Sequence, residues 1–325
     1  MRITYFTDPH FRASRPLRRK DDWVEASLGK LLWICDRAVA SRSDLLICGG
    51  DLFDSPAPSF EIVSRVQAAL GSTGIRTLLV VGNHDISGRN HENWRRGPLS
   101  VLVGPGSRIE VAPPRLELAA VDLFFWHYEH GIDSRVEYEV PRRPGIPAIG
   151  VAHSMIVGPG DEAHFGSVPA DKVVTNLTLM LCAHYHPGFE TWGDGQASTV
   201  FTAPGALTRT SSSDAGREPK IVEISVDGSG MEVEEVVVPH APAGEVLDLE
   251  RAALDREWSS TIEEFVRGME SVAVRSRDVR RMVRDFAEAC ESGRVLDGDG
   301  NPLEVRPEVV ELVLDRIDRY RAGDE

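Results

Sequence analysis

Short apolar runs separated by segments of helical period organise the first third of the chain. Ile3–Phe6 reads as a short buried strand, and Asp22–Ala40 repeats apolar residues at helical spacing through Val24, Leu28, Leu31, Leu32 and Cys35. Leu45–Cys48 predicts a second strand, Phe60–Leu70 a second helix and Arg76–Val81 a third strand. This alternation implies a parallel sheet with right-handed crossovers. Beyond about Arg108 the helical periods give way to strands at Arg115–Ala119, Val121–Trp126, Ala148–His153, Leu177–Ala183, Thr199–Ala203, Lys220–Val226 and Met231–Val238. They predict a second, mixed sheet packed on the first. The expected fold is therefore an α/β, four-layer α-β-β-α sandwich. Pro239–Gly244 reads as a linker, followed by amphipathic helices over Leu247–Val272, Ser276–Ser292 and Pro307–Ala322. The turn Leu296–Pro302 lacks the ligand spacing of a calcium loop. The chain thus divides into a domain over 1–240 and a C-terminal helical region over 241–325.

Charge sharpens this outline. The chain of 325 residues carries a net −15, which disfavours nucleic-acid binding driven by counterion release alone. Residues 241–325 hold 21 acids against 13 arginines, a net of −8. Arg12, Arg15, Arg18, Arg19 and Lys20 cluster close behind the first strand, either as a solvated loop or as contacts to a phosphate backbone. The four cysteines form no CxxC pair, and Cys35, Cys48 and Cys182 read as reduced core thiols. The N-terminal MRITYF runs straight into a strand, and no run of about 18 apolar residues occurs, so the expectation is a cytoplasmic protein without a membrane span.

The candidate chemistry sits where apolar runs end. Asp8-Pro9-His10, Gly50-Asp51-Leu52-Phe53-Asp54, Gly82-Asn83-His84-Asp85, His153 and His184-Tyr185-His186 supply Asp, Asn and His in the numbers that two adjacent metal ions need. In open α/β sheets such strand ends form the functional edge. Counting donors gives Asp8, His10, Asp51 and His186 for one ion, and Asp51, Asn83, His153 and His184 for the other. Oxygen and imidazole donors without thiolate suit Mn2+, with Zn2+, Fe2+ or Co2+ as alternatives. Two such ions clamp and hydrolyse phosphoesters. His127 and His130 read as structural, and Phe124, Phe125 and Trp126 as core. Arg209 either contacts phosphate or caps a strand turn.

In order and type, these clusters resemble the calcineurin-like metallophosphoesterase superfamily, whose pattern is DxH, GDxxD, GNH(D/E), a lone His and GHxH. The resemblance spans roughly residues 1–240, and Ala183 stands where the last motif usually has Gly. Gly49–Ser55, Leu78–Asp85 and Pro204–Arg209 further resemble the SbcD-type DNA repair nuclease. The resemblance implies that His84 protonates the leaving oxygen or steadies the phosphate, with Asp85 orienting its ring. An imidazole beside the metals, with a carboxylate next to it, is suited to that role on chemical grounds too. Asp54 is expected behind a ligand histidine or the motif turn.

The leading expectation is a two-metal phosphodiesterase cutting DNA as exonuclease or endonuclease. Arg12, Arg18, Arg19 and Arg209 are its candidate substrate contacts. The resemblance also implies a homodimer and a coiled-coil ATPase of the SbcC type bound through the C-terminal helices, although the connection here is shorter than the family's usual one. The alternative is a stand-alone phosphodiesterase or phosphatase for a small nucleotide-type substrate, which the acidic charge favours. A non-catalytic regulatory subunit fits poorly with an intact ligand set.

Overall fold

Alternating side chains decide how the first strand divides the molecule. In β1 (Arg2–Phe6), Ile3 and Tyr5 face one way and Thr4 and Phe6 the other. Phe6 joins Leu46, Cys48 and Leu79 under two helices, α1 (Trp23–Ala40) and α2 (Phe60–Ser72). The short α3 (Leu99–Leu102) adds Leu99 and Leu102 to the same cluster. Each of the two long helices begins at a side-chain cap: the Asp22 carboxylate accepts from the Glu25 N–H, and the Ser59 hydroxyl from that of Ile62. Ile3 and Tyr5 pack instead with Ile47, Leu78, Phe125, Val151 and Leu181, the layer between two sheets.

The computed structural model describes residues 1–161, 166–193, 199–228, 230–251, 279–291, 307, 310–311 and 313–315. Its first compact unit is Met1–Leu247 and its second Asp248–Glu325. In the first unit, β2 (Leu45–Cys48), β3 (Arg76–Leu79) and β4 (Ile109–Val111) continue β1 in parallel. A second mixed sheet is built from β5 (Arg115–Glu117), β6 (Asp122–Trp126), β7 (Ala148–His153), β10 (Leu179–Ala183), β11 (Phe189–Trp192) and β12 (Val200–Ala203), in the order β11-β12-β10-β7-β6-β5. The short pair β8 (Ile156–Val157) and β9 (Val168–Pro169) stands apart.

Two mixed sheets with their helices form the layered α/β sandwich expected, and three details differ. The last two strands, β13 (Lys220–Asp227) and β14 (Gly230–Val237), belong to the first sheet, where β13 lies antiparallel to β1. Periodicity identifies a strand, but its partner is set by which edge is free. Among the described residues, the outer face of the second sheet carries loop residues Tyr138 and Val140 and Ala170 of a short 3-10 turn (Ala170–Lys172), packed over Phe124, Ala152 and Met180. Finally, the segment expected as a linker packs down. It leads into α4 (Ala243–Val246), where Lys20 N–H donates to Val246 O at 2.9 Å, Lys20 Nζ donates to Gly244 O at 2.7 Å, and Leu247 is fully buried.

In the second unit, α5 (Val279–Glu291) lies within the expected helix Ser276–Ser292. Its Val283, Phe286, Ala289 and Cys290 are buried, with Val310, Val313 and Leu314 packed against them. The expected helix Leu247–Val272 beyond Arg251, the turn Leu296–Pro302 and most of Pro307–Ala322 lie outside the described residues.

Candidate metal centre

Parallel pairing brings the carboxyl ends of β1, β2 and β3 together, and likewise those of β7 and β10. All five polar clusters follow or close these strands. The loops are zipped by backbone hydrogen bonds: Asp8 N to Gly50 O at 3.1 Å, His10 N to Asp51 O at 3.1 Å and Phe11 N to Leu52 O at 3.0 Å. Asp8, His10, Asp51 and His184 all have positive φ, at 49°, 50°, 48° and 75°. Such backbone costs on the order of 1–3 kcal/mol per residue and needs surrounding structure to hold it. Two glycines make the closeness tolerable. A Cβ on Gly50 would lie 2.2 Å from His153 Nδ1, and one on Gly82 would lie 2.1 Å from Asp51 Oδ1.

Each central carboxylate is anchored by one oxygen and bare at the other. Asp8 Oδ2 accepts from Thr7 Oγ1 at 2.6 Å and from His184 N at 3.1 Å, while its Oδ1 is buried without a hydrogen-bond partner. Asp51 Oδ1 accepts from His84 N at 2.8 Å, while its Oδ2 is likewise bare. The bare oxygens face imidazoles. His186 Nε2 is 3.7 Å from Asp8 Oδ1, His10 Nε2 is 3.7 Å from Asp51 Oδ2 and His153 Nε2 is 3.4 Å from that same oxygen. The Nε2 atoms of His10 and His186 converge to 2.9 Å. Donor atoms of Asp8, His10, Asp51 and His186 lie within 4.8 Å of one another, as do those of Asp51, His153 and His184. Asn83 Oδ1 joins the second group, 3.0 Å from His153 Nε2. The structure thus brings together the residues counted for each ion, and Asp51 lies in both groups. Asp8 Oδ1 and Asp51 Oδ2 are buried among imidazole nitrogens without a hydrogen bond, a costly arrangement that a cation between the donors relieves, so the residues fit a pair of divalent ions.

Electrostatics prepare the donors. Burial holds the His10 and His184 imidazoles at about 4, well below their usual range, so both are neutral near pH 7. Burial works against the Asp51 carboxylate, yet His153, His10 and His84 hold it well below the usual carboxylate range. Burial would also lower His153, but Asp51 raises it to about 9. Its Nδ1 lies 3.0 Å from Gly49 O, which fixes the ring with Nε2 toward the centre.

The remaining candidates fall into different places. His84 Nδ1 lies 2.8 Å from the Asp54 carbonyl oxygen and its ring meets His10 edge-on at 4.8 Å, beside the donor sets. Asp85 corrects the expectation that it orients His84. Its Oδ1 accepts from Phe53 N and its Oδ2 from Gly82 N, both at 3.0 Å, so it staples two ligand loops and does not touch the imidazole. Asp54 stands behind His10, with Oδ1 3.7 Å from Nδ1, and its other oxygen pairs with Arg12 at 2.9 Å. Arg12 and Arg18 are partly open to solvent, whereas Arg19 and Arg209 are only 5% and 3% exposed. Arg19 is held by Asp21, the Arg209 carbonyl and the Trp23 ring, and Arg209 donates to Ala241 O. Both guanidiniums are thus directed at groups of the chain itself, in place of the substrate contacts expected of them. His127 is structural, accepting from Val81 N at 2.9 Å, and Phe124 and Phe125 are buried.

Sequence reasoning passed over three neighbours. Thr7 fixes Asp8, and Tyr128 lies 5.7 Å, ring to ring, from His184. Asp133 Oδ1 is 3.8 Å from His184 Nε2 and accepts from Met155 N at 3.0 Å. Tyr128 could have been noticed as the second residue past β6. Asp133 follows no strand and left no signal.

Comparison with curated proteins finds no match. Among solved structures, the chain is similar to a dimetal phosphatase from Danio rerio, at 10% identity over 74% of this chain and 99% of that one, with a TM-score of 0.46. It is also similar to the protein TT1561 of Thermus thermophilus, at 14% identity over 72% and 97%, TM-score 0.44. A third likeness is to Yfce, a phosphoesterase from E. coli, at 14% identity over 74% and 100%, TM-score 0.37. The family model of the calcineurin-like phosphoesterases matches residues 1–188. That span holds every candidate ligand from Asp8 to His186, in the loops that the two sheets bring together, and the chain belongs to the calcineurin-like phosphoesterase family.

Proposed function

We propose that this phosphoesterase is a Mn2+-dependent phosphodiesterase that cuts DNA, an exonuclease or endonuclease of the SbcD type. The observation that carries the reading is the border of the metal centre. The loop that follows His10 offers Arg12, Arg15 and Arg18, and Leu17 within it is 88% exposed. The loop that follows Asp54 ends on Phe60, 87% exposed. The Arg12–Asp54 pair ties the two loops together. Cations that track phosphates beside exposed apolar surface suit a nucleic-acid strand, and the half-exposed His186 leaves the centre open on one side.

Bound divalent ions would neutralise the phosphate and supply a hydroxide nucleophile. The chain's own residues orient that chemistry. Asp51 stands between the two donor sets, and Asp8 and the Gly49 carbonyl fix the loops and rings around it. His84, held through Nδ1 by the Asp54 carbonyl, keeps Nε2 available to protonate the leaving oxygen or steady a phosphate oxygen. A homodimer and a coiled-coil ATPase partner of the SbcC type belong to the same reading, on the resemblance of Gly49–Ser55, Leu78–Asp85 and Pro204–Arg209 alone.

A second reading, a phosphodiesterase or phosphatase for a small nucleotide-type substrate, is favoured by the net charge of −15 and by the burial of Arg19 and Arg209. Incubation with Mn2+ and single-stranded DNA, double-stranded DNA or bis-p-nitrophenyl phosphate separates the two. The DNA reading expects cleavage of DNA as well as of the small ester. Cleavage of the ester with both DNAs untouched contradicts it.

A further inference from the structure

Behind the metal centre, four consecutive backbone carbonyls each accept a hydrogen bond from a cationic side chain. Arg217 donates to Ala206 O and, at 2.7 Å, to Thr208 O. Lys30 Nζ donates to Leu207 O at 2.8 Å, and Arg19 donates to Arg209 O at 2.9 Å. Lys30 and Arg19 are 9% and 5% exposed, and the Arg217 side chain 11%. Asp21 and Asp214 offset them in part. Three cationic side chains gathered around one peptide segment repel each other and lose hydration, so the arrangement is unfavourable unless the segment must be held.

What the segment holds is visible on its other side. Ala206 N donates to His186 O at 3.0 Å, Leu207 N to Thr7 O at 3.1 Å and Thr208 Oγ1 to Pro9 O at 3.1 Å. Those acceptors are His186 itself and the two residues that flank Asp8, the second of which precedes His10. Three of the four donors of the first set, Asp8, His10 and His186, are therefore registered against one strip of backbone. None of these bonds is made to Asn83, His153 or His184 of the second set, and the tie to that set is the His184 N–H bond to Asp8 Oδ2 at 3.1 Å.

We propose that Lys30, Arg217 and Thr208 are positioning residues for one metal subsite: the cations pin the Ala206–Arg209 carbonyls, and that strip sets the spacing of the Asp8–His10 and His186 loops. Their effect falls chiefly on the ion held by Asp8, His10 and His186, and reaches the one held by Asn83, His153 and His184 through the His184 bond to Asp8. The inference rests on the metal centre and is independent of whether the substrate is DNA.

Calorimetric titration of the full chain with Mn2+ tests it without any substrate, alongside thermal unfolding in chelator. Outer contacts of this kind typically change metal affinity 10–100-fold. Thr208→Val and Lys30→Met should each weaken one of the two Mn2+ equivalents at least about tenfold and the other markedly less. Thr208→Ser, which keeps the hydroxyl, should restore wild-type binding. Thr208→Val changes one hydroxyl only and guards against a Lys30 variant that fails to fold. Two wild-type-like equivalents in both variants, or equal weakening of both equivalents, would overturn the positioning role alone. A wild-type chain that takes up no Mn2+ would overturn the metal centre, and the positioning role with it.

Discussion

Asp51 and Asp85 are the two fully buried carboxylates of neighbouring ligand loops, and they are used in opposite ways. Asp51 gives one oxygen to the His84 N–H and leaves the other bare among His10 and His153. Asp85 gives both oxygens to backbone N–H groups, those of Phe53 and Gly82. Three imidazoles hold the first carboxyl ionised against its burial. Burial, and then Asp51 itself, push the second up to about 7. The contrast teaches that a buried acid in a strand-end loop declares its role by where its second oxygen points. A bare one asks for a cation, and a satisfied one holds the scaffold.

Breaking the bare side should cost most. Asp51→Asn removes the shared anionic donor, and hydrolysis of bis-p-nitrophenyl phosphate in Mn2+ should fall by roughly a thousandfold or more, since the ions' charge neutralisation and nucleophile are lost together. A steady-state assay that finds a loss below tenfold would remove Asp51 from the centre. His84→Asn should come next, lowering kcat by about 10²–10⁴ while Mn2+ content stays at wild type, as expected for a proton donor or phosphate contact beside the metals. Loss of metal in this variant would instead make His84 a ligand.

Altering the satisfied side should look different. Asp85→Asn presents an amide group to one of two N–H donors, which leaves that donor unpaired at about 1–3 kcal/mol. Denaturant unfolding in chelator should show that loss, with Mn2+ stoichiometry retained. The pH dependence sharpens the pair further. A carboxyl raised to about 7 keeps its proton in the folded chain after the unfolded chain has lost it, so its contribution is present near pH 4 and fades as pH climbs to about 7. Metal-free Asp85→Asn should lack that fading, which unfolding curves across the interval would reveal. The smallest effect is on metal uptake. Because Asp51 raises His153 to about 9, ligation must displace its proton. Mn2+ affinity at one site should therefore rise by up to about tenfold per unit between pH 6 and 8, and a flat calorimetric profile would contradict a protonated His153.

The same distinction explains what could be read from the sequence. The β-strands preceding Asp8, Asp51 and Asn83, and the two donor sets, were legible because short apolar runs ending in Asp, Asn and His carry both the topology and the chemistry. The partner of β13 was not legible, since Val222 and Ile224 alternate alike beside either sheet. Nor was the fate of adjacent Arg18 and Arg19: one is half-buried and the other covered by Trp23, Asp21 and the Arg209 carbonyl, contacts that come from distant loops or a single turn away. Asp85 beside His84 suggested a pair in sequence, but the chain turns the carboxylate inward to Phe53 and Gly82.

Asp51 stands where two metal ions would share it, while Asp85 is placed to hold none. Native mass spectrometry of the Mn2+-loaded wild type, Asp51→Asn and Asp85→Asn chains tests it most directly. Two ions are expected in the wild type, two in Asp85→Asn and at most one in Asp51→Asn. Two ions retained in Asp51→Asn, or none in the wild type, would contradict it.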